Sequence, residues 1–489
     1  MKFIIETNLP GFFNDIADEI RLFYGKVLIS LDDGTEIADP GEKVSVFCDI
    51  GENIVCRSSC GEYAYTENAI LEDPSNEIIR KKNIRKCIKK SVFRLFKQFN
   101  ASDTPWGSLT GVRPTKLYRE LYTRFGEDRA SMIFHTEYDV SDEKTELAKE
   151  IMKAQGPFLH KAGQHRADLY INIPFCVSKC LYCSFPSKIL PIHSPALNGY
   201  LDVLLEELNE CMRMVRENHV SIGAVYIGGG TPSILSEEQM TRLLSYLNES
   251  VSLNGIEFTV EAGRPDTLSY GLLKVLKNHN VSRLSINPQT MNDRTLAQMN
   301  RLHTGEDIAE AFRMCREIGF DSINMDLIAG LPGEELEDFR DSIEKVIALE
   351  PDNITVHALT LKKSAALFQS GSMCDENIIK EMTELGYEKC REAVYIPYYM
   401  YRQKYISGNL ENIGYAKQDK ICQYNIDMME ETTNILANGA CSVSKFLYSG
   451  ENRIERVFNP KDIHTYYEKI GQTILEKENR LKESLSSKA

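Results

Sequence analysis

No apolar run in this sequence approaches the roughly 20 residues that a membrane-spanning helix needs, and there is no internal repeat. The start, Met-Lys-Phe-Ile-Ile-Glu-Thr-Asn-Leu-Pro, carries an acidic residue at Glu6 and no long apolar core, which argues against a signal peptide. Low-complexity sequence is confined to a polar tail from about Lys477 to Ala489. A basic excess is also lacking: 57 Lys and Arg stand against 71 Asp and Glu, a net charge of -14. That argues against a general nucleic-acid binder, because such binding rests on neutralising phosphates, although a local basic patch is not excluded. With neither export signal nor span, the expectation is a cytoplasmic protein whose thirteen cysteines stay reduced.

What is present is globular, with 42% hydrophobic and 26% charged residues. A length of 489 residues suggests two to four folding units. The first 75 or so residues alternate short β-type runs (Lys2–Glu6, Lys26–Leu31, Val44–Cys48, Tyr63–Thr66) with turn residues such as Asp32-Asp33-Gly34, which predicts a small α/β domain. From Asn76 to Phe99 the apolar residues Ile84, Ile88, Val92, Leu95 and Phe99 recur at helical spacing, with nine Lys or Arg between Arg80 and Lys97. This basic amphipathic helix reads either as a solvated face or as a cradle for a polyanion; it and a linker fill residues 76–160.

Between residues 161 and 365 strands and helices alternate. Runs at Tyr170–Ile173, Ala224–Ile227, Phe258–Glu261, Arg283–Ile286, Ser322–Leu327 and Ile354–Leu359 predict six parallel strands, curling into a barrel or part of one. Ser236-Glu-Glu-Gln239 has the form of a capping box opening one of the helices. In such folds chemistry sits at the C-terminal ends of the strands. Residues 366–489 lose the alternation and form a mixed C-terminal region rich in aromatics, around Pro397-Tyr-Tyr-Met-Tyr-Arg-Gln-Lys404 and Asn412-Ile-Gly-Tyr-Ala416. Aromatics at this density usually build a core, and a flat tetrapyrrole would want the same residues.

Directly after the first barrel strand come Cys176, Cys180 and Cys183, at Cys-x3-Cys-x2-Cys spacing. Structural zinc needs four ligands and tends to draw them as two pairs; here one triplet stands alone, with only His193 within a dozen residues downstream. Three thiolates from one loop can instead hold three irons of a cubane and leave the fourth open to another ligand. The other ten cysteines are scattered and read as small hydrophobes. Gly228-Gly229-Gly230-Thr231-Pro232 follows the second strand, where glycines allow close backbone approach.

In these motifs and their order, from about Tyr170 to Leu361, the chain resembles a radical S-adenosylmethionine enzyme of the oxygen-independent coproporphyrinogen III oxidase family. Trp106-Gly-Ser-Leu-Thr-Gly-Val-Arg-Pro-Thr115, Tyr401-Arg-Gln-Lys404 and Asn412-Ile-Gly-Tyr-Ala416 resemble its HemZ-like branch. The resemblance implies an α/β fold built on a partial (β/α)6 TIM-like barrel, with an N-terminal α/β extension and a mixed C-terminal domain. It implies that Cys176, Cys180 and Cys183 ligate a [4Fe-4S] cluster whose open iron is chelated by S-adenosyl-L-methionine. Tyr170 matches a tyrosine beside the bound methionine moiety and is the candidate catalytic side chain, and Tyr182 matches an aromatic packed beside the cluster or adenine. Gly229, Gly230 and Thr231 match the cofactor-binding turn. Glu261, Gln289, Arg301 and Asp326 match polar cofactor contacts at the strand ends, and Ala358 matches a backbone contact.

The implied reaction is oxidative decarboxylation of propionates of coproporphyrinogen III, with a reductase or flavodoxin-type electron donor. The basic helix, Arg113 and Arg402 are candidate partners for the substrate carboxylates. Haem binding or trafficking is the alternative, and a radical reaction on another substrate is a third. Phe185 stands where oxidases of the family carry a fourth cysteine, a departure shared with haem-chaperone relatives. Arg264, in Glu261-Ala-Gly-Arg264, has no partner that the sequence identifies.

Overall fold

A computed structural model describes every residue except 26, 33–40, 72, 101–103, 112, 160–164, 254, 363, 371–374, 404–408, 449–452 and 488–489. Lys26, the turn residues Asp33 and Gly34, Lys404 of the Tyr401 motif and the last two residues of the polar tail therefore lie outside the described residues. The chain divides into two compact units, Met1–Lys149 with Arg402–Leu410, and Glu150–Tyr401 with Glu411–Ala489.

In the first unit a five-stranded sheet has the order β2-β1-β3-β4-β5. Its strands are β1 (Lys2–Thr7), β2 (Leu28–Leu31), β3 (Glu42–Ile50), β4 (Asn53–Cys60) and β5 (Tyr63–Ile70). β1 runs parallel to β2 and β3, and β3, β4 and β5 form an antiparallel meander. Buried residues alternate along β4 at Ile54, Cys56, Ser58 and Cys60, and with Cys48 and Cys87 the thiols join the aliphatic core beneath the helices Phe13–Tyr24 and Glu77–Lys97.

Glu77–Lys97 is the basic amphipathic helix, but its charges are largely engaged within the unit. Lys89 pairs with Glu19 at 3.0 Å, Lys90 with both Glu67 and Glu137 at 3.0 Å, and Arg94 with Glu67 and Asp139 at 3.3 and 3.1 Å. The helix keeps the solvated face expected of it at Arg80, Lys81, Lys82, Arg85 and Lys97, while acidic residues distant in sequence pair with much of the stripe.

In the second unit the strands are β6 (Arg166–Ile173), β7 (Phe175–Cys176), β8 (Lys188–Ile189), β9 (Ser221–Gly229), β10 (Glu257–Glu261), β11 (Arg283–Ser285), β12 (Ile323–Ala329), β13 (Asn353–Ala358), β14 (Ile396–Tyr401), β15 (Asn412–Ala416), β16 (Asn434–Asn438), β17 (Val443–Tyr448) and β18 (Arg453–Phe458). Strands β6 and β9–β13 lie side by side, all parallel and in sequence order. These are the six strands expected from the alternation. β7 and β8 form a separate two-stranded ribbon.

The C-terminal region builds both edges of the main sheet. β15 and β14 add antiparallel strands beyond β13, while β16 pairs parallel with β6 and carries β17 and β18 outward. The expected capping box is formed, with Gln239 N donating to Ser236 Oγ at 3.1 Å and Ser236 N donating to Gln239 Oε1 at 3.0 Å. Aromatic residues of the C-terminal region, Tyr398, Tyr399 and Tyr424, are buried in one core cluster.

Most of the polar tail is not low-complexity coil. Helix Ile463–Ser486 runs through it, and Lys477, 2% exposed, donates from Nζ to Glu207 Oε1 at 2.5 Å and to Ala437 O at 2.6 Å. Glu207 also accepts from Tyr466 OH, Gly439 N and Asn459 Nδ2. A buried carboxylate with four donors tolerates loss of its cation poorly, since breaking such a pair leaves an uncompensated charge. Lys477→Met should therefore cost about 3–5 kcal/mol, measured by denaturant unfolding; a loss below about 1 kcal/mol would mean that the pair behaves as a surface one.

Candidate functional site

The geometry starts from backbone. β6 and β9 pair in register up to Ile173 opposite Gly229, and two further bonds extend the zipper past the strand ends: Gly230 N to Ile173 O at 2.9 Å and Thr231 N to Phe175 O at 2.7 Å. Gly229 has φ +116°, and a Cβ there would lie 2.2 Å from Asn172 Oδ1; at Gly230 it would lie 2.4 Å from Phe175 O. The glycine turn is thus flattened against the segment that delivers the first cysteine. Its missing side chains make room for the Asn172 side chain and the Phe175 backbone.

Cys176, Cys180 and Cys183 follow, all free thiols of intermediate exposure. Thr231 Oγ1 lies 3.6 Å from Cys176 Sγ and Arg301 Nη1 3.9 Å from Cys180 Sγ, each positioned to donate. Burial, with the other two thiols as neighbours, pushes the Cys183 thiol up, the situation that a bound cation relieves by stabilising thiolates. Among the described residues no three His, Cys, Asp or Glu side chains converge on one ion-sized point; a cubane does not ask them to, since each thiolate binds its own iron. Donors aimed at sulfur and three unpaired thiols on one loop fit that group.

The loop is fastened to the segment after β11. Leu181 N donates to Met299 O at 3.2 Å, Asn300 Nδ2 to Lys179 O at 2.9 Å and Ser178 Oγ to Asn300 O at 3.2 Å. Buried Arg301 donates to Tyr182 OH at 3.1 Å, to Gly263 O and Asn287 O at 3.1 and 2.5 Å, and through Nε to His303 Nε2 at 3.3 Å. Tyr182 and Arg301 thus touch each other beside the cysteine loop, with Arg301 Nη1 also facing Cys180.

Glu261 and Ala358 end β10 and β13, Gln289 lies beyond the end of β11, and Asp326 sits in the middle of β12. Glu261 Oε1 accepts from Tyr226 OH at 2.7 Å; burial pushes its carboxyl up to about 7 against that hydrogen bond, and Asp326 adds to the rise. Burial also opposes ionisation of Asp326, but His357, with Nε2 3.8 Å away, and the Asn324 amide hold its carboxyl below the usual range. Gln289 has φ +69° and bridges to β12, its N donating to Asp326 O at 2.8 Å. Ala358 N donates to Asn412 Oδ1 at 2.9 Å.

Tyr170 donates to Asn172 Oδ1 at 3.0 Å and stacks with Tyr226 and Tyr424, whose own rings lie 4.5 Å apart. In the first unit, Arg402 packs over the Trp106 ring at 5.6 Å and donates to Leu109 O, so two of the branch-like motifs meet each other.

Sequence reasoning missed Asn172, Ser178, Asp266, His303 and His357. Asp266 and His303 lie two residues beyond Arg264 and Arg301, and His357 immediately precedes Ala358, so proximity to a singled-out residue was the available signal.

Strands β6 and β9–β13 with a cysteine loop at their C-terminal ends define a radical SAM protein. The family model described as the Radical SAM superfamily matches residues 170–346. The chain is 35% identical over 398 residues, 80% of its own length and 79% of the other, to the oxygen-independent coproporphyrinogen-III oxidase-like protein HemZ of Bacillus subtilis. The heme chaperone HemW of the same organism is 36% identical over 201 residues, 41% of this chain and 52% of HemW. In structure, the Escherichia coli coproporphyrinogen III oxidase HemN, a radical SAM enzyme, matches with a TM-score of 0.52 and 21% identity over 66% of this chain and 73% of that one. The chain belongs to the HemZ-like family of oxygen-independent coproporphyrinogen III oxidase-like, radical SAM proteins. Its cofactors are accordingly a [4Fe-4S] cluster and S-adenosyl-L-methionine, and no helix among the described residues is long and apolar enough to cross a membrane.

Gly230→Ala should displace the Phe175 backbone and with it Cys176, because overpacking against backbone costs roughly 1–3 kcal/mol. The expected outcome is lower iron and sulfide content after anaerobic reconstitution; content equal to wild type would show that the contact does not position the loop.

Proposed function

We propose that this protein catalyses the oxygen-independent oxidative decarboxylation of propionate side chains of coproporphyrinogen III to vinyl groups, giving protoporphyrinogen IX. The observation that carries the reading is the cysteine loop at the ends of the parallel strands, in a chain 35% identical over 80% of its length to the oxygen-independent coproporphyrinogen-III oxidase-like protein HemZ.

Cys176, Cys180 and Cys183 would hold three irons of the cluster. Glu261 and Asp326 carry the negative charge suited to the cationic and ribose groups of S-adenosylmethionine, and Arg301 keeps its remaining donor edge toward the cluster loop. When bound, these cofactors supply one-electron cleavage of the sulfonium and a 5'-deoxyadenosyl radical able to take a hydrogen atom. Each propionate would give a hydrogen atom from its β-carbon to that radical, release CO2 and pass one electron to an external one-electron acceptor, leaving a vinyl group. A reductase or flavodoxin-type protein supplies the reducing electron, and the setting is cytoplasmic.

A second reading, haem binding or trafficking, is favoured by Phe185. It occupies the place of the fourth cysteine of the oxidases and is 65% exposed.

The reconstituted protein should form 5'-deoxyadenosine and protoporphyrinogen together from coproporphyrinogen III with S-adenosylmethionine and dithionite, and Cys180→Ala should form neither. Deoxyadenosine without decarboxylation, together with stoichiometric haem uptake, would instead select the second reading. The Glu261 carboxyl, pushed up to about 7, is protonated and neutral below that pH and anionic above it. S-adenosylmethionine affinity should therefore rise between pH 6 and 8, values that bracket about 7, and Glu261→Gln should flatten the rise; an unchanged slope in the variant would remove Glu261 from the binding site.

A further inference from the structure

Arg264 follows β10 in a segment to which the reaction assigns no part, yet it is 4% exposed and fully furnished with partners. Its Nε and Nη2 form a fork on Asp266 Oδ1 and Oδ2 at 2.9 and 2.7 Å. Nη1 donates to Ser178 Oγ at 2.6 Å. Ser178 lies between Cys176 and Cys180, and its hydroxyl passes the contact on to Asn300 O. One guanidinium thus ties the end of β10 to the middle of the cysteine loop.

The carboxylate is held from the other side as well. His303, buried, presents Nδ1 to Asp266 Oδ1 at 3.7 Å, and its Nε2 faces the Arg301 Nε donor at 3.3 Å. An N–H pointing at Nε2 requires that nitrogen to be the acceptor, so in the neutral ring the proton sits on Nδ1, facing Asp266. Burial works against ionisation of Asp266, but His303 and Arg264 hold its carboxyl well below the usual range. The Arg264 charge is buried one hydrogen bond from the loop, where its field is weakly screened, and the partly exposed Asp266 carboxylate stands one contact further away.

We propose that Arg264 and Asp266 are positioning residues for the iron-sulfur centre: through Ser178 they fix the conformation of the Cys176–Cys183 loop, and their opposed charges set the reduction potential of the cluster. The proposal rests on the assignment of the three cysteines as cluster ligands. Hydrogen bonds and charges around a metal site orient its ligands and tune its potential. Reduction adds one negative charge, so a nearby cation favours the reduced state and a nearby anion opposes it.

The test is redox titration of the reconstituted full-length protein, followed by EPR of the reduced cluster, alongside iron analysis. Arg264→Gln removes the cation and leaves Asp266, and should shift the midpoint to more negative potential. Asp266→Asn removes the anion and leaves Arg264, and should shift it to more positive potential. Arg264→Lys keeps the charge but not the fork: its midpoint should stay near wild type while iron affinity falls roughly 10-fold or more. Ser178→Ala should lower iron affinity without either shift.

Shifts of the same sign in Arg264→Gln and Asp266→Asn, or none, overturn the electrostatic role, because a merely structural defect has no reason to reverse sign with charge. Should Arg264→Gln fail to hold a cluster, the positive shift in Asp266→Asn still decides the matter. A wild-type protein that takes up no cluster would instead overturn the cysteine assignment itself, a failure separable from the first by iron content alone.

Discussion

The close contact between the Gly229–Gly230 turn and Ile173–Phe175 is the constraint on which the site depends. Two parallel strands normally part company where their ladder ends; here their hydrogen bonding continues through Gly230 N and Thr231 N because no side chain intervenes. The first cysteine therefore leaves β7 at a position set by main-chain hydrogen bonds, which are short and directional. Arg301, Tyr182 and Ser178 can then be satisfied at fixed places on the loop. Were the turn free to open, each of these polar groups would face a moving partner, and buried polar groups without partners are costly.

The electrostatics follow from the same compactness. Glu261 on β10 and Asp326 on β12, with β11 between them, have environments that push them apart: Tyr226 gives Glu261 one hydrogen bond against strong desolvation, while His357 and Asn324 hold the Asp326 carboxyl low. Two carboxyls of one sheet thereby differ in protonation near neutrality, the separation of roles that allows one to neutralise a cation and the other to adapt to it.

Much of the barrel was legible because its cues are local. Six apolar runs spaced by helices gave six parallel strands, and the cysteine and glycine motifs fell directly after the first two, where strand-end chemistry belongs. The features that escaped are set by distant partners. β4 was hidden because Cys56, Ser58 and Cys60 do not look like a core face until Cys48 and the helix Glu77–Lys97 cover them. The basic stripe from Arg80 to Lys97 looked available because Glu67, Glu137 and Asp139 approach it only in three dimensions. Lys477 read as the start of a polar tail because Glu207 lies 270 residues away. Arg264 could be singled out but not paired: the fork on Asp266 is local, whereas the contact with Ser178 spans 86 residues.

The parallel pairing of β16 with β6 bears on how the chain comes to be made. β6 emerges early and its outer edge waits for a partner; the bond from Asn172 to Ala440 joins residues 268 apart. Until then the growing chain presents an unpaired edge of buried-type residues, Leu169, Ile171 and Ile173, of the kind that recruits other strands. The last quarter of the polypeptide thus acts as the closing seam of a sheet whose middle was synthesised first, and a ribosome that stalls before residue 434 releases a protein with its motifs complete and its sheet still open.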